Sequence, residues 1–231
     1  MTKFRSRATI FLNALYHRCY HDSPEVQTFA ISKDSNTRLA FYHLAPNDEH
    51  PYIIKITKNQ SDTSILPKFE VLTTAANLSE KIFCPNFKPD FKKITSTEEF
   101  EIVCPTFTGL GISVPMKDDV GYRDLNMTNK KFMGILKKID KASDDQVRRE
   151  AFAPLLQMIT YIQYANDECD FGQGYEFGLD LMVYGSKYLT KQALKVLPMA
   201  YRLLGRTLFQ EIAEAHLKDR KNEAGLSEFF K

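Results

Sequence analysis

Most of the signatures that would assign a function at sight are missing from this sequence. Its four cysteines, Cys19, Cys84, Cys104 and Cys169, are scattered, with no C-x-x-C pair among them. That removes zinc-finger spacing. In the absence of a secretory leader it points to reduced thiols in an intracellular protein. No apolar run approaches the roughly 20 residues that a membrane-spanning helix needs, so no membrane association is expected. Net charge is only +2 over 231 residues, so no global basic field argues for direct nucleic-acid binding. There is no G-x-S-x-G nucleophile elbow and no H-E-x-x-H zinc helix. His17, Cys19 and His21 alternate as if to bind a metal, but residues two apart on a helix do not face one site, and no second cluster supports them. No metal centre is expected.

What is present is the composition of an ordinary folded chain, 43% hydrophobic and 26% charged, enough for one large core or two small ones. The basic start, Met1 to Arg7, reads as a solvated helix start. Ala8 to Tyr20 places Ile10, Phe11, Ala14, Leu15 and Arg18 at helical spacing, and Asp22-Ser23-Pro24 ends that helix. The period then changes. Residues 27–31, 38–44 and 52–56 alternate as strands separated by polar turns, which favours an antiparallel meander. A helix is expected after Pro67 through Ile82, and a further strand from Glu98 to Cys104. Phe107 to Val114 reads as an apolar loop. Asp118 to Leu125 is a polar connector, and from there the pattern is helical. Phe132, Ile135, Leu136 and Ile139 make one helix face, and Ser143-Asp144-Asp145-Gln146 reads as a capping box. An apolar helix runs from Val147 towards Asn166 despite Pro154, and 175–184, 188–204 and 207–217 are three more. The fold class is therefore α+β: a small, mostly antiparallel sheet with flanking helices, then an all-helical C-terminal half. The division falls into an α/β part, residues 1–125, and a helical part, residues 126–231, expected to join in one compact body.

One stretch stands out. Asp167, Glu168 and Asp170 put three carboxylates into four residues, and no Lys or Arg occurs between Arg149 and Lys187. A solvated helix terminus is the ordinary explanation of such a run. Here, however, the acids follow a strongly apolar helix, and they fall at its C-terminus, where the macrodipole disfavours negative charge. The neighbouring carboxylates and the dipole both raise a carboxyl's affinity for a proton, the direction that general-base chemistry wants. A calcium loop fails, because Phe171 stands where an EF-hand requires glycine. Glu176 or Asp180 could complete a glycosidase-type carboxylate pair across a cleft. The glycines Gly172, Gly174 and Gly178 follow a helix in the order G-x-G-x-x-x-G and lie among acids, which argues against a phosphate loop. The chain thus offers a candidate base and no cofactor pocket of its own, a combination suited to an active site shared with another protein.

Several of these segments resemble the histone PARylation factor family, accessory proteins that direct poly(ADP-ribose) polymerases to serine. The resemblance is carried by Phe152-Ala153-Pro154, Ala165-Asn166-Asp167-Glu168-Cys169-Asp170, Tyr184-Gly185-Ser186, Leu197-Pro198 and, upstream, Asp119-Val120-Gly121-Tyr122-Arg123. It is close from Ala151 to about Arg220 and looser before that. Lys187 stands where the family has histidine, and residues 224–231 differ from the family's end. The resemblance implies a non-autonomous contributor to a composite ADP-ribosyltransferase site. In that role Glu168 would be the catalytic base, taking the proton of a substrate serine. Asp167, Tyr122 and Arg123 would bind the polymerase catalytic domain, with Asp170 and Lys191 as further substrate or partner contacts. NAD would be held by the polymerase, with no cofactor bound directly by this chain. Histone tails would be the second partner, and the chain would be a monomer on its own, located in the nucleus on chromosomes in the DNA damage response. The alternative is a non-catalytic chromatin adaptor that binds basic tails or the polymerase through the same acidic patch.

Overall fold

The computed structural model describes residues 18–32, 36–48, 51–58, 66–74 and 101–220, and the helix expected over residues 8–20 lies almost wholly outside them. The class is α+β, as read from the sequence. The chain divides into two compact units, residues 1–94 with 206–231, and residues 95–205.

The first unit is built on a meander. Strands β1 (Val26–Ile31), β2 (Thr37–Tyr42), β3 (Tyr52–Thr57) and β4 (Lys68–Thr74) pair antiparallel in the order β1-β2-β3-β4. The two-residue period puts Ala40 and Tyr42 of β2 and Ile54 and Ile56 of β3 into the core. β4 corrects the helix expected after Pro67. Phe69 and Val71 alternate with polar residues, and the segment finds a full ladder against β3, from Thr57↔Lys68 to Tyr52↔Thr74. Cross-strand pairing overrides the local pattern there. The turn at Asp22–Val26 is fixed by buried charge. The Arg18 guanidinium donates to the carbonyls of Ser23, Pro24 and Val26 at 2.7, 2.9 and 2.6 Å. Arg38 forks onto both Asp22 oxygens at 2.6 and 2.5 Å, and Thr28 accepts a further bond from it at 2.8 Å. This unit also holds the last helix, Thr207–Asp219, which buries Phe209, Ile212, Ala213 and Leu217.

The second unit begins with a two-stranded antiparallel ribbon, β5 (Glu101–Cys104) and β6 (Ile112–Val114). β6 is fully buried, so the stretch expected to be a loop over residues 107–114 ends as a core strand. Four helices follow: α1 (Asn129–Lys141), α2 (Asp145–Asp167), α3 (Phe171–Tyr184) and α4 (Thr190–Leu203); the Thr207–Asp219 helix of the first unit is α5. Thr128 caps α1, accepting from the Lys131 amide. At α2 the cap is Asp144, whose Oδ1 accepts from the Val147 amide at 2.9 Å. Ser143, expected in that role, instead donates to the Asp144 carboxylate. α2 continues through Pro154 and buries Leu155, Met158, Ile159, Ile162 and Ala165, an inward stripe at helical spacing.

α3 is the centre of this unit, with every residue from Gly172 to Tyr184 buried. It starts at Phe171, so the glycine run that preceded the expected helix lies inside it. Those glycines are there for close approach. A Cβ on Gly178 would stand 2.8 Å from the Cα of Leu197, so α3 and α4 touch backbone to backbone. Phe132 stacks on Phe177 with ring centroids 5.5 Å apart, and Tyr175 meets Tyr201 at 5.2 Å. No helix among the described residues is long and apolar enough to cross a membrane.

Candidate functional site: the acidic corner between α2 and α3

α2 ends in a Schellman-type closure. The Cys169 amide donates to the Asn166 carbonyl at 3.2 Å and the Asp170 amide to the Ala165 carbonyl at 2.8 Å. Cys169 occupies the left-handed position, with φ 66°, where glycine is usual. Glu168 is the cap residue, its own amide bonded to the carbonyls of Tyr164 and Ala165 at 3.1 and 3.2 Å. Its backbone is therefore fixed, while its side chain is 59% exposed. Asp167, on the last turn, is exposed as well.

α3 begins at Phe171, three residues after Glu168, and its free amides need acceptors. The 117–124 segment supplies one, the Gly121 carbonyl for the Gly172 amide, and docks there. Asp118 and Asp119, at φ 51° and 63°, make a two-residue turn closed by reciprocal bonds between Lys117 and Val120 of 2.9 and 2.8 Å. Gly121 follows at φ 135°, where a Cβ would lie 2.4 Å from the Pro115 carbonyl oxygen. Its own carbonyl accepts from the Gly172 amide at 2.8 Å, and its amide donates to Asp170 Oδ1 at 2.9 Å. Gln173 Nε2 donates to the Asp124 carbonyl at 2.8 Å. The Tyr122 phenol donates to Glu176 Oε2 at 2.9 Å. The segment is thus docked along the first turns of α3 at four places, Asp170, Gly172, Gln173 and Glu176.

The docked segment delivers Arg123. Its guanidinium pairs with the Glu168 carboxylate and lies 2.8 Å from Asp170 Oδ2. This corrects the expectation of an acidic cluster without counter-charge. No cation is close in sequence, but one arrives from 45 residues upstream. The pairing, by a hydrogen bond to Glu168 first, raises the Arg123 pKa still further. The ion pair is at the surface, with Arg123 itself 43% exposed. Tyr122, Arg123, Glu168 and Asp170 therefore converge on one corner, with Asp167 beside them on the last turn of α2. Lys191 stands exposed on the first turn of α4.

Beneath the corner lies a set of buried polar groups. Glu176 and Asp180, one turn apart on α3, are used internally, so neither faces a cleft as a glycosidase partner would. Burial pushes the Glu176 carboxyl up to about 6, against the opposing pull of its bonds with Tyr122 and Cys104. Asp180 is fully buried and accepts from the Phe107 amide at 2.7 Å, and burial pushes its carboxyl well above the usual range. Burial, with Glu176 beside it, pushes the Cys104 thiol up to about 12. The Tyr122 phenol rises for the same two reasons and so remains a donor. The structural work of Glu176, Gln173 and Asp170 was not read from the sequence. The available signal was the presence of Glu176 and Asp180, one helical turn apart, in an otherwise apolar helix.

The corner is a cluster of carboxylates and a guanidinium presented at the surface. Comparison with known proteins names the lineage. Residues 71–220 match the family described as Histone PARylation factor 1. A Homo sapiens protein named histone PARylation factor 1-like is 34% identical over 96% of this chain and 72% of its own length. Histone PARylation factor 1 of Danio rerio is 51% identical over 57% of this chain and 38% of its own, and that of Bos taurus 36% over 90% and 68%. The chain belongs to the histone PARylation factor family.

Proposed function

We propose that this chain completes the active site of a poly(ADP-ribose) polymerase and supplies Glu168 as the general base for ADP-ribosylation of serine. Membership of the family supports the coarser role, a histone PARylation factor. The observation that carries the finer one is the placement of Glu168: an exposed carboxylate on a rigid helix end, held by an arginine from a docked loop.

A serine hydroxyl is a weak nucleophile until a positioned base takes its proton. In the reading proposed here, the serine Oγ forms a bond to the ribose C1′ of NAD as the bond from C1′ to nicotinamide breaks, its electron pair leaving with nicotinamide. Glu168 receives the hydroxyl proton and passes it to solvent. NAD is brought by the polymerase. Arg123 bonds only one Glu168 oxygen, Oε2, which leaves the other to take the proton while the guanidinium, also held by Asp170 at 2.8 Å, keeps the carboxylate in place. Asp167, Tyr122 and Arg123 form the docking edge, where a forked, permanently charged guanidinium is an effective anchor. The acidic corner suits lysine-rich substrates such as histone tails, and a nuclear, chromosomal location follows.

The test is incubation with a polymerase catalytic domain, NAD and a serine-containing histone peptide. Glu168→Gln is expected to bind the polymerase near normally and to lose serine modification by a factor on the order of 10² or more. Serine turnover at the wild-type rate by this variant would leave only the adaptor reading, in which the patch binds but takes no proton.

A further inference from the structure

We infer that Glu176 is a positioning residue for Glu168: by holding the Tyr122 phenol it keeps the Gly121–Arg123 segment docked, and so keeps a guanidinium on the base. The inference rests on the reading of Glu168 as the base.

Asp170 and Gly172 hold the Gly121 main chain and Gln173 the Asp124 carbonyl, with Asp170 also 2.8 Å from the Arg123 guanidinium. Only Glu176 grips a side chain of the residue next to Arg123, and it does so from the interior, where the acceptor is 5% exposed. A hydrogen bond to a charged acceptor in such surroundings is stronger than a neutral one. The groups facing Glu176 are the Tyr122 phenol and the Cys104 thiol as donors, Asp124 as a like charge from the docked segment, and Asp180 as a like charge from α3 itself. No cation is among them. The charge of Glu176 is therefore sustained by hydrogen bonds, chiefly that of Tyr122, and the docking of Tyr122 depends in turn on that charge.

Neutralising Glu176 takes away the charged half of this bond. The segment should then leave α3 more often, exposing the Gly121 and Gly172 amides and carrying Arg123 away from Glu168. Because burial has already brought the carboxyl up to about 6, mild acid should do the same in the wild-type chain.

The experiment compares wild type, Glu176→Gln, Tyr122→Phe and the double variant by amide hydrogen exchange and by polymerase-dependent serine modification. Loss of one charge-assisted bond predicts about tenfold faster exchange at Gly121 and Gly172 and about tenfold slower serine turnover in each single variant at pH 7.5. The double variant should be no worse than either alone. After correction for intrinsic exchange, wild type should lose protection below about pH 6, whereas Glu176→Gln should show no such step. If Glu176→Gln does not fold, Tyr122→Phe, which removes only the phenol oxygen, carries the same test. Wild-type protection at both glycines in the variants overturns the inference, and so does faster exchange with unchanged turnover. Glu168→Gln run in parallel separates the two readings. Its retention of serine modification would refute the base assignment alone, since the exchange measurements do not depend on it.

Discussion

A single methyl group at Gly172 should separate the docked segment from the helix start. A Cβ built there stands 2.9 Å from the Gly121 carbonyl oxygen, 2.9 Å from Tyr122 Cδ2 and 3.1 Å from Tyr122 Cβ. The first contact is with backbone, which cannot swing aside as a side-chain tip can. It is also the oxygen that accepts from the Gly172 amide at 2.8 Å, so relief of the clash breaks that bond. In Gly172→Ala the helix gains about 1 kcal/mol of propensity. Against this stand about 1–3 kcal/mol for overpacking and about 1 kcal/mol for the lost hydrogen bond. The net is a loss of about 1–3 kcal/mol, which for a chain of this size lowers Tm by roughly 2–12 °C. The functional loss should be larger. If Tyr122 moves, Arg123 moves with it, and a misplacement on the order of 1 Å in a catalytic constellation costs about a hundredfold. Calorimetry and the serine-modification assay read the two effects separately. Gly174→Ala is the control: its nearest neighbour would be Ile162 Cγ2 at 3.1 Å, the end of a side chain, and both readouts should stay near wild type. Wild-type turnover and an unchanged or raised Tm in Gly172→Ala would refute the docking geometry.

Gly178→Ala should cost more stability than Gly172→Ala. Its Cβ would meet Leu197 Cα, Cβ and N at 2.8, 2.8 and 2.9 Å, and the net loss of about 2 kcal/mol or more should appear as a lowered denaturant midpoint at constant slope. Cys169→Gly should stabilise by about 0.5–1 kcal/mol, because it relieves a left-handed φ of 66° on a residue with a side chain; a lower midpoint would refute the strain. His216 carries a pH prediction for the first unit. Burial, and then Arg220 nearby, lower its pKa from 6.5 to about 3, so the unfolded chain binds a proton that the folded chain refuses. The stability this group contributes is complete above pH 6.5 and falls as pH drops towards 3, by about 2 kcal/mol at pH 5. His216→Leu should flatten that slope in urea titrations at pH 7 and 5; an unchanged slope would show that His216 titrates normally.

The elements legible in the sequence were those whose own periodicity agrees with their packing. The meander strands alternate cleanly, and α1, α2 and α4 carry apolar stripes at helical spacing, so local pattern and tertiary contact say the same thing. The failures have one cause. β4 was mistaken for a helix because its preference is weak and its ladder partner, β3, lies outside any local window. The 112–114 segment became a strand only by pairing with β5. The corner was legible in half: Asp167, Glu168 and Asp170 announce themselves as a cluster. What surrounds them does not, because Arg123 arrives from 45 residues away and Tyr122 reaches Glu176 across 54. A charge census along the chain therefore found an uncompensated acid run where folding had already supplied its counter-ion.

The helix closure under Glu168 limits how recognition can work. The amides of Glu168, Cys169 and Asp170 already have partners inside the chain, so an incoming protein cannot recruit them without breaking the helix closure. Any adjustment on meeting must come from side chains or from the visitor. Such a stiff outcrop wastes little ordering entropy on contact, but it forgives little error in approach. Fidelity then becomes a matter of alignment between two surfaces, set far from the reacting atoms.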